Sequence, residues 1–205
     1  MAHSLFRGAA AAVLIAAVAV PATAQTFSDS YNFLKAVRET DGNKVNDLLE
    51  GASGATLVDT RDRSTGDTAL HIVARQRNTT WLSFLLGKGA NANARNNAGE
   101  TPLIVASRIG FTEGVQTLLA RRATVDLANQ SGETPLILAT QNRDAATVRL
   151  LLAAGADANR SDSVAGMSAR DYAQRDGRSE VILRLMNEPR EGATPRDNRP
   201  VAGPN

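Results

Sequence analysis

Two stretches of the chain are near copies of each other, and they decide how it folds. Residues 99–123 read GETPLIVASRIGFTEGVQTLLARRA, and residues 132–156 read GETPLILATQNRDAATVRLLLAAGA. They share the opening letters GETPLI, and each continues into a leucine-containing segment after a polar gap. A repeat with a period of about 33 residues indicates an architecture in which each unit is one supersecondary element.

The period extends in both directions from these two stretches. Four related phrases open at glycines that keep the same spacing to within a single position, namely Gly66, Gly99, Gly132 and Gly166. The phrases are GDTALHIVA, GETPLIVAS, GETPLILAT and GMSARDYAQ, and a second apolar segment follows each of them. A fainter copy lies between Tyr31 and Ser53. The sequence therefore predicts about five units.

Each unit carries the signals of two short helices. Thr101 and Thr134 are predicted N-caps, because a threonine hydroxyl can accept a backbone N–H of the first turn. Pro102 and Pro135 follow them at the first helical position, where a missing N–H costs nothing.

The second helix of each unit has its own start and stop signals. Thr112 and Asp144 are predicted to cap it, and Gly89 and Gly155 are predicted to end it in the left-handed conformation. Arg122 stands where these glycines stand, so a non-glycine residue is expected to take that uncommon conformation.

A pair of helices this short cannot bury its own apolar face, so neighbouring units must stack. The composition agrees, because aromatic residues make up only 4% of the chain and aliphatic residues must fill the core. The predicted fold is all-α, a solenoid of about five helix-turn-helix units joined by short β-turn hairpins.

These phrases resemble the ankyrin repeat, whose signature is G-x-T-P-L-H-x-A. GDTALHIVA keeps the histidine as His71 and has Ala69 in place of proline, whereas the next two units keep the proline and have Ile104 and Ile137 in place of histidine. The resemblance implies that His71 hydrogen-bonds neighbouring turns. It covers roughly residues 30–186, with weaker terminal units, as expected of capping repeats.

The organisation expected along the chain has three parts. They are a signal peptide at 1–24, a repeat domain at 25–187 with units near 30–65, 66–98, 99–131, 132–165 and 166–187, and a disordered tail at 188–205. The tail is assigned to disorder because, with Asn187 included, it holds four of the seven prolines and three arginines against three acids. The segment between Ser53 and Gly66 is about four residues longer than its counterparts and is expected at the hairpin edge.

The first residues predict export. Arg7 precedes an apolar run from Ala9 to Val20, and Ala22 and Ala24 are small residues where a signal peptidase requires them. An uncleaved anchor is the alternative, but this run would span only about 18 Å as a helix against a bilayer core of about 30 Å. We expect cleavage after Ala24 and a periplasmic or secreted protein.

Charge and residue content exclude several classes of function. Without Arg7, the 22 basic and 21 acidic residues give a net charge of +1, which provides no electrostatic basis for binding nucleic acid. With no cysteine and one histidine after residue 24, a zinc site is not expected, and neither a Gly-x-Ser-x-Gly elbow nor a phosphate-binding loop is present. We predict no catalytic residues, no cofactor and no metal.

The resemblance implies a concave face, formed by the turns and the ends of the first helices, on which partner proteins bind. One column of residues on this face lies seven positions after each signature threonine, and a second lies one position before it. The predicted partner-binding residues are Arg38, Arg75, Arg108, Gln141 and Arg175 in the first column, and Asp67, Glu100 and Glu133 in the second. The arginines would dock an acidic or mixed-charge segment, or alternatively would pair with the acidic column and only keep the face soluble.

The predicted function is that of a non-catalytic, monomeric scaffold in the periplasm that holds or protects another protein. Some ankyrin proteins of the bacterial periplasm are associated with oxidative-stress enzymes, so the resemblance permits support of a catalase as one such role. The alternative is an inhibitor or immunity-type protein that blocks a partner enzyme. No insertion into a membrane is expected after signal cleavage.

Overall fold

A computed structural model describes residues 22–51 and 54–188. Within these ranges it contains helices and a single isolated antiparallel bridge, between Ser161 and Ser168, with no extended strand. The helices are α1 (Ala22–Glu39), α2 (Gly42–Glu50), α3 (Gly54–Leu57), α4 (Ala69–Arg75), α5 (Thr79–Gly87), α6 (Pro102–Arg108), α7 (Thr112–Ala120), α8 (Pro135–Gln141), α9 (Ala145–Ala153), α10 (Ala169–Asp176) and α11 (Glu180–Asn187). The all-α prediction is confirmed.

The helices form five stacked pairs in two layers. The pairs are α1 with α2, α4 with α5, α6 with α7, α8 with α9, and α10 with α11. The first helices pack in a row in the order α1, α4, α6, α8, α10, and the second helices α5, α7, α9 and α11 form the other row. Because each unit packs mainly on its neighbours along the stack, the molecule is a solenoid.

The first helices begin where the sequence predicted. The hydroxyls of Thr101 and Thr134 each accept a hydrogen bond from a backbone N–H three positions further on, at 3.3 Å. Pro102 and Pro135 are the first residues of α6 and α8 and are buried. These two helices are therefore capped and started by the Thr-Pro pair.

One predicted cap of the second helices is wrong. Asp144 caps α9, accepting the N–H of Thr147 at 3.0 Å, but Thr112 is the first residue of α7 and Phe111 holds the N-cap position without a side-chain bond. Phe111 and Asp144 occupy the same place in successive units, so the register of the repeat prevails over the higher capping preference of threonine. The Thr112 hydroxyl instead lies 3.1 Å from that of Thr147 in the next unit.

The second helices of units two, three and four end as predicted. Gly89 and Gly155 have φ values of 90° and 94°, and Arg122 holds the same place with φ 61°. These three units close the second helix through the same left-handed turn, even where no glycine is available.

Aliphatic side chains fill the space between the two layers. Leucines dominate, and the fully buried large residues include Leu70, Leu82, Leu103, Leu118, Leu136 and Leu151. The longer segment after the first unit also enters this core, because it forms α3, which packs on α1 and α2, and because Leu57 and Val58 are buried members of the core. The prediction that this insertion lies at the hairpin edge is therefore wrong for the part that forms α3.

The terminal predictions fall largely outside the described residues. Residues 1–21, most of the predicted signal, and residues 189–205 of the predicted tail are among those that the structure does not describe. In the described part, no helix has both the length and the apolar character needed to cross a membrane.

Candidate functional site

Stacking brings the predicted column of long polar side chains onto one face. Arg75, Arg108 and Gln141 are the last residues of α4, α6 and α8, and Arg38 and Arg175 lie in the last turns of α1 and α10. Because these five helices pack side by side, the five side chains form a row. This row and the turns beside it are the concave face.

The middle of this row is a continuous ladder of ion pairs. Arg75 binds Asp67 of its own unit through Nη1, and its Nη2 lies 3.5 Å from Glu100 Oε2 of the next unit. Arg108 repeats the arrangement, binding Glu100 through Nη1 and approaching Glu133 Oε2 at 3.5 Å through Nη2. Each arginine therefore bridges two successive units, and the two predicted columns pair with each other.

The carboxylates of the ladder are buried and accept hydrogen bonds from a neighbouring amide. Asp67 and Glu100 are 4% and 5% exposed, and the Asn96 amide donates to both of them, at 2.9 Å and 3.1 Å. Burial opposes ionisation of Asp67, but the hydrogen bonds from Arg75 and Asn96 outweigh it and hold the pKa of this carboxyl below its usual range. The acids are part of the framework, and the guanidinium groups cover them.

Sequence reasoning missed these supporting amides. Asn129 donates to Glu133 at 2.7 Å as Asn96 does to Glu100, and each asparagine stands four positions before its acid. The recurrence of this pair at the same place in two successive units was a usable signal in the sequence.

Hydrogen bonds from side chains to backbone carbonyl oxygens join the hairpin tips of successive units. Arg61 donates to the carbonyl oxygen of Arg95, and Arg95 donates to that of Ala128, both at 2.5 Å. The side-chain amides of Asn97 and Gln130 donate to carbonyl oxygens of the preceding tips at 3.0 Å and 2.9 Å. The tips therefore form a fixed edge along the concave face.

His71 lies directly under the ladder and is fully buried. Its Nε2 is 2.9 Å from the carbonyl oxygen of Glu100, and its Nδ1 accepts the backbone N–H of Thr68 at 3.2 Å. These partners require a neutral ring with the proton on Nε2. The ring hydrogen-bonds the neighbouring turn, as the resemblance implied.

The two ends of the row differ from its middle. Arg38 binds Asp62 at 2.5 Å, and Asp62 also holds its own turn by accepting from Ser64 and Thr65. At the other end the column has Gln141, which carries no charge, and Arg175, whose Nη1 is 3.3 Å from Met167 Sδ.

A cleft of about 400 Å³ opens at this second end, lined by Thr140, Gln141, Tyr172, Arg175 and Asp176. The Tyr172 hydroxyl donates to Asp162 Oδ2 at 2.6 Å, and this hydrogen bond raises the pKa of the tyrosine. Arg143 binds Asp176 through two nitrogens, at 2.5 Å and 2.7 Å, so that carboxylate is already neutralised.

Two other depressions lie away from the ladder. A groove of about 650 Å³ runs between α1 and residues 60–64, and a shallow apolar one of about 270 Å³ on the second-helix side is lined by Trp81 and Phe84. Trp81 is half-buried and meets Phe84 edge-on, with ring centroids 5.5 Å apart. In the described residues no group of three or more His, Cys, Asp or Glu side chains could hold a metal ion.

Stacked helix pairs with a hydrogen-bonded row of tips define a helical repeat solenoid. The chain belongs to the ankyrin-repeat family: residues 33–129 and 108–198 both match the family model described as ankyrin repeats (3 copies). Ankyrin repeats are generally protein–protein interaction modules, and the family is typically non-catalytic. No curated protein is significantly similar to the chain.

Proposed function

We propose that this protein is a non-catalytic scaffold of the bacterial periplasm that binds one partner protein on its concave face. The observation that carries the proposal is the ion-pair ladder, because it holds polar groups of both signs in fixed positions on a rigid stack of helices. Side chains that are already ordered lose little conformational entropy when a partner docks.

The ladder also indicates the character of the surface offered. Arg75 and Arg108 remain 44% and 43% exposed although both are paired, so N–H groups are still available beside buried carboxylates. A partner segment of mixed charge can bind such a row without displacing its internal pairs, whereas a uniformly acidic segment would face Asp67, Glu100 and Glu133 behind the arginines.

Affinity capture from a periplasmic extract tests this proposal, with the chain and two double variants as baits. Arg75→Gln with Arg108→Gln removes both bridging cations and leaves the residue type that unit four has at Gln141. The matched control, Arg149→Gln with Arg184→Gln, removes two exposed cations from the second helices. We expect partners to be lost with the first variant alone; equal capture by both folded variants would contradict a concave-face site.

An inhibitor or immunity-type role is the second candidate, and the same partner distinguishes it. A scaffold leaves the activity of a captured enzyme intact or protects it during heating. An inhibitor abolishes that activity when the two proteins are mixed at a one-to-one ratio.

The proposed location rests on the sequence between Arg7 and Ala24. We expect the exported protein to begin at Gln25 and to be recovered in the periplasmic fraction or the medium. N-terminal sequencing of the recovered protein checks both points, and an intact N-terminus with recovery from the cytoplasm would contradict the proposal.

A further inference from the structure

The ladder of ion pairs stops between units four and five. Continuing its pattern would require a cation at 141 and an acid at 167, but the chain has Gln141 and Met167 there. The cation and the acid are missing at the same junction, so neither an unpaired acid nor a pair of like charges is left there. Arg175 is left beyond the break, exposed and next to a thioether.

Arg175 differs from the other arginines of its column. Arg38, Arg75 and Arg108 each bind a carboxylate. Around Arg175, in the part of the chain that the structure describes, no carboxylate oxygen lies within 4.0 Å; its contact is the weak acceptor Met167 Sδ, at 3.3 Å. Its guanidinium therefore retains most of its hydrogen-bonding capacity for an outside acceptor.

The cleft beside Arg175 supplies a second hydrogen-bond donor for an acceptor with two oxygens. Gln141 and Tyr172 both line it, but the Tyr172 hydroxyl already donates to Asp162, so the donor beside Arg175 is the Gln141 side-chain amide. Thr140 also lines the cleft, but its hydroxyl is buried without a hydrogen-bond partner in the described residues, as is that of Ser107 at the same place in unit three, and it is therefore a feature of the repeat and not of this cleft.

The nearby acids limit what charge this cleft can accept. Asp176 lines the cleft and is paired with Arg143 of unit four, whereas Glu133, whose charge also raises the pKa of the lining Tyr172, has Arg108 at 3.5 Å. A group with a single negative charge suits one free guanidinium, whereas a doubly charged phosphate would be repelled more strongly.

We propose that Arg175, with Gln141 beside it, is the anchor for a carboxylate on an extended segment of the partner protein. This inference rests on the proposed function and assigns specificity to the fifth unit, because the arginines of units two and three are already paired. Residues 188–205 are a poorer occupant, since their three arginines balance their three acids. A guanidinium binds a carboxylate through two parallel N–H groups, which fixes its orientation.

A displayed library of random twelve-residue peptides, selected on the folded full-length chain, provides the test. We expect the selected peptides to share one Asp or Glu position. Arg175→Glu should weaken their binding about tenfold or more, the effect of losing a hydrogen bond to a charged group, and should select Lys or Arg there instead. The matched control, Arg149→Glu on α9, should bind the original peptides as the wild type does.

Each result bears on a different part of the proposal. Peptides without a shared acid, or peptides whose binding Arg175→Glu leaves unchanged, would overturn the anchor. If those peptides are nevertheless lost with Arg75→Gln and Arg108→Gln, the concave face remains the binding surface and only the anchor fails. If replacing Glu191 and Asp197 with amides strengthens peptide binding, the tail occupies the cleft and the proposal is wrong.

Discussion

At the scale of single residues, His71 shows how one side chain joins two units. Its ring receives the N–H of Thr68 at the start of α4 and donates to Glu100 just before α6, so it fixes one turn against the next. Units three and four place Ile104 and Ile137 at the same position, both fully buried. The fold therefore accepts either an apolar contact or a hydrogen bond here, and His71→Ile separates the two.

We expect His71→Ile to destabilise the protein by about 1 kcal/mol at pH 7.5, because the buried N–H of Thr68 loses its acceptor while the packing volume is kept. The Glu100 carbonyl still accepts Asn96 N–H at 2.9 Å, which limits the loss. Urea unfolding followed by circular dichroism measures the change. An unchanged or increased free energy of unfolding would show that the hydrogen bonds of His71 make no net contribution to stability.

The same variant is expected to change how stability depends on pH. Burial lowers the pKa of His71, and although the Glu100 carbonyl and the Asp67 carboxylate favour the charged ring, they do not compensate. The unfolded ring keeps a pKa near 6.5, so below that value the unfolded chain binds a proton that the folded chain excludes. Stability from this group is thus complete above about pH 7 and declines toward pH 5.

The difference in unfolding free energy between wild type and His71→Ile should accordingly shrink as the pH falls from 7.5 to 5. Ile104→Val is the control, since it changes packing at the equivalent position without a titrating group, and its cost should stay constant. If the difference in unfolding free energy between wild type and His71→Ile stays constant or grows as the pH falls, the result would contradict a neutral buried ring.

At the scale of elements, helix boundaries followed from the sequence far better than the contacts between units. The Thr-Pro starts and the left-handed ends depend on local backbone geometry, which residue type reports directly. The prediction that Thr112 caps α7 is wrong because the repeat register, and not the capping preference of threonine, sets where this helix begins. The pairing of Arg108 with Glu133 could be raised only as an alternative, because whether a guanidinium spans two units depends on stacking distances that no local pattern contains.

Local geometry also predicts a stabilising change in α4. Ala69 is the first residue of this helix, and the extended backbone of Thr68 (ψ 172°) resembles that of Thr101 (ψ 163°), which precedes Pro102. Ala69→Pro should raise the free energy of unfolding by roughly 0.4–1 kcal/mol by restricting the unfolded chain.

Ala145→Pro is the matched control for that change. Ala145 is also the first residue of its helix, but its N–H donates to the Arg143 carbonyl at 3.1 Å, so proline there should destabilise. Thermal unfolding of the two variants measures both effects. A lower melting temperature for Ala69→Pro would mean that the proline ring does not fit among the buried neighbours of α4.

At the scale of the whole molecule, stability arises between units because no unit encloses a core of its own. The face that α4 and α5 present to α6 and α7 has buried leucines, the ring of His71 and the guanidinium of Arg75, and each of these meets a partner in the next unit. In such an array the free energy is approximately a sum of unit and interface contributions.

Ending the chain after Asn97 should therefore destabilise the units that remain. The remaining two units lose the Glu100 partner of both His71 and Arg75 and expose the apolar face beneath them, so we expect a lower midpoint in urea and a shallower transition. Ending it after Glu188 is the control, because every helix of the described residues is kept and neither value should change. The slope reports the surface exposed on unfolding, so a fragment 25–97 with a slope as large as that of the whole repeat domain would show that two units already enclose a complete core. That result would contradict shared stabilisation as the basis of this fold.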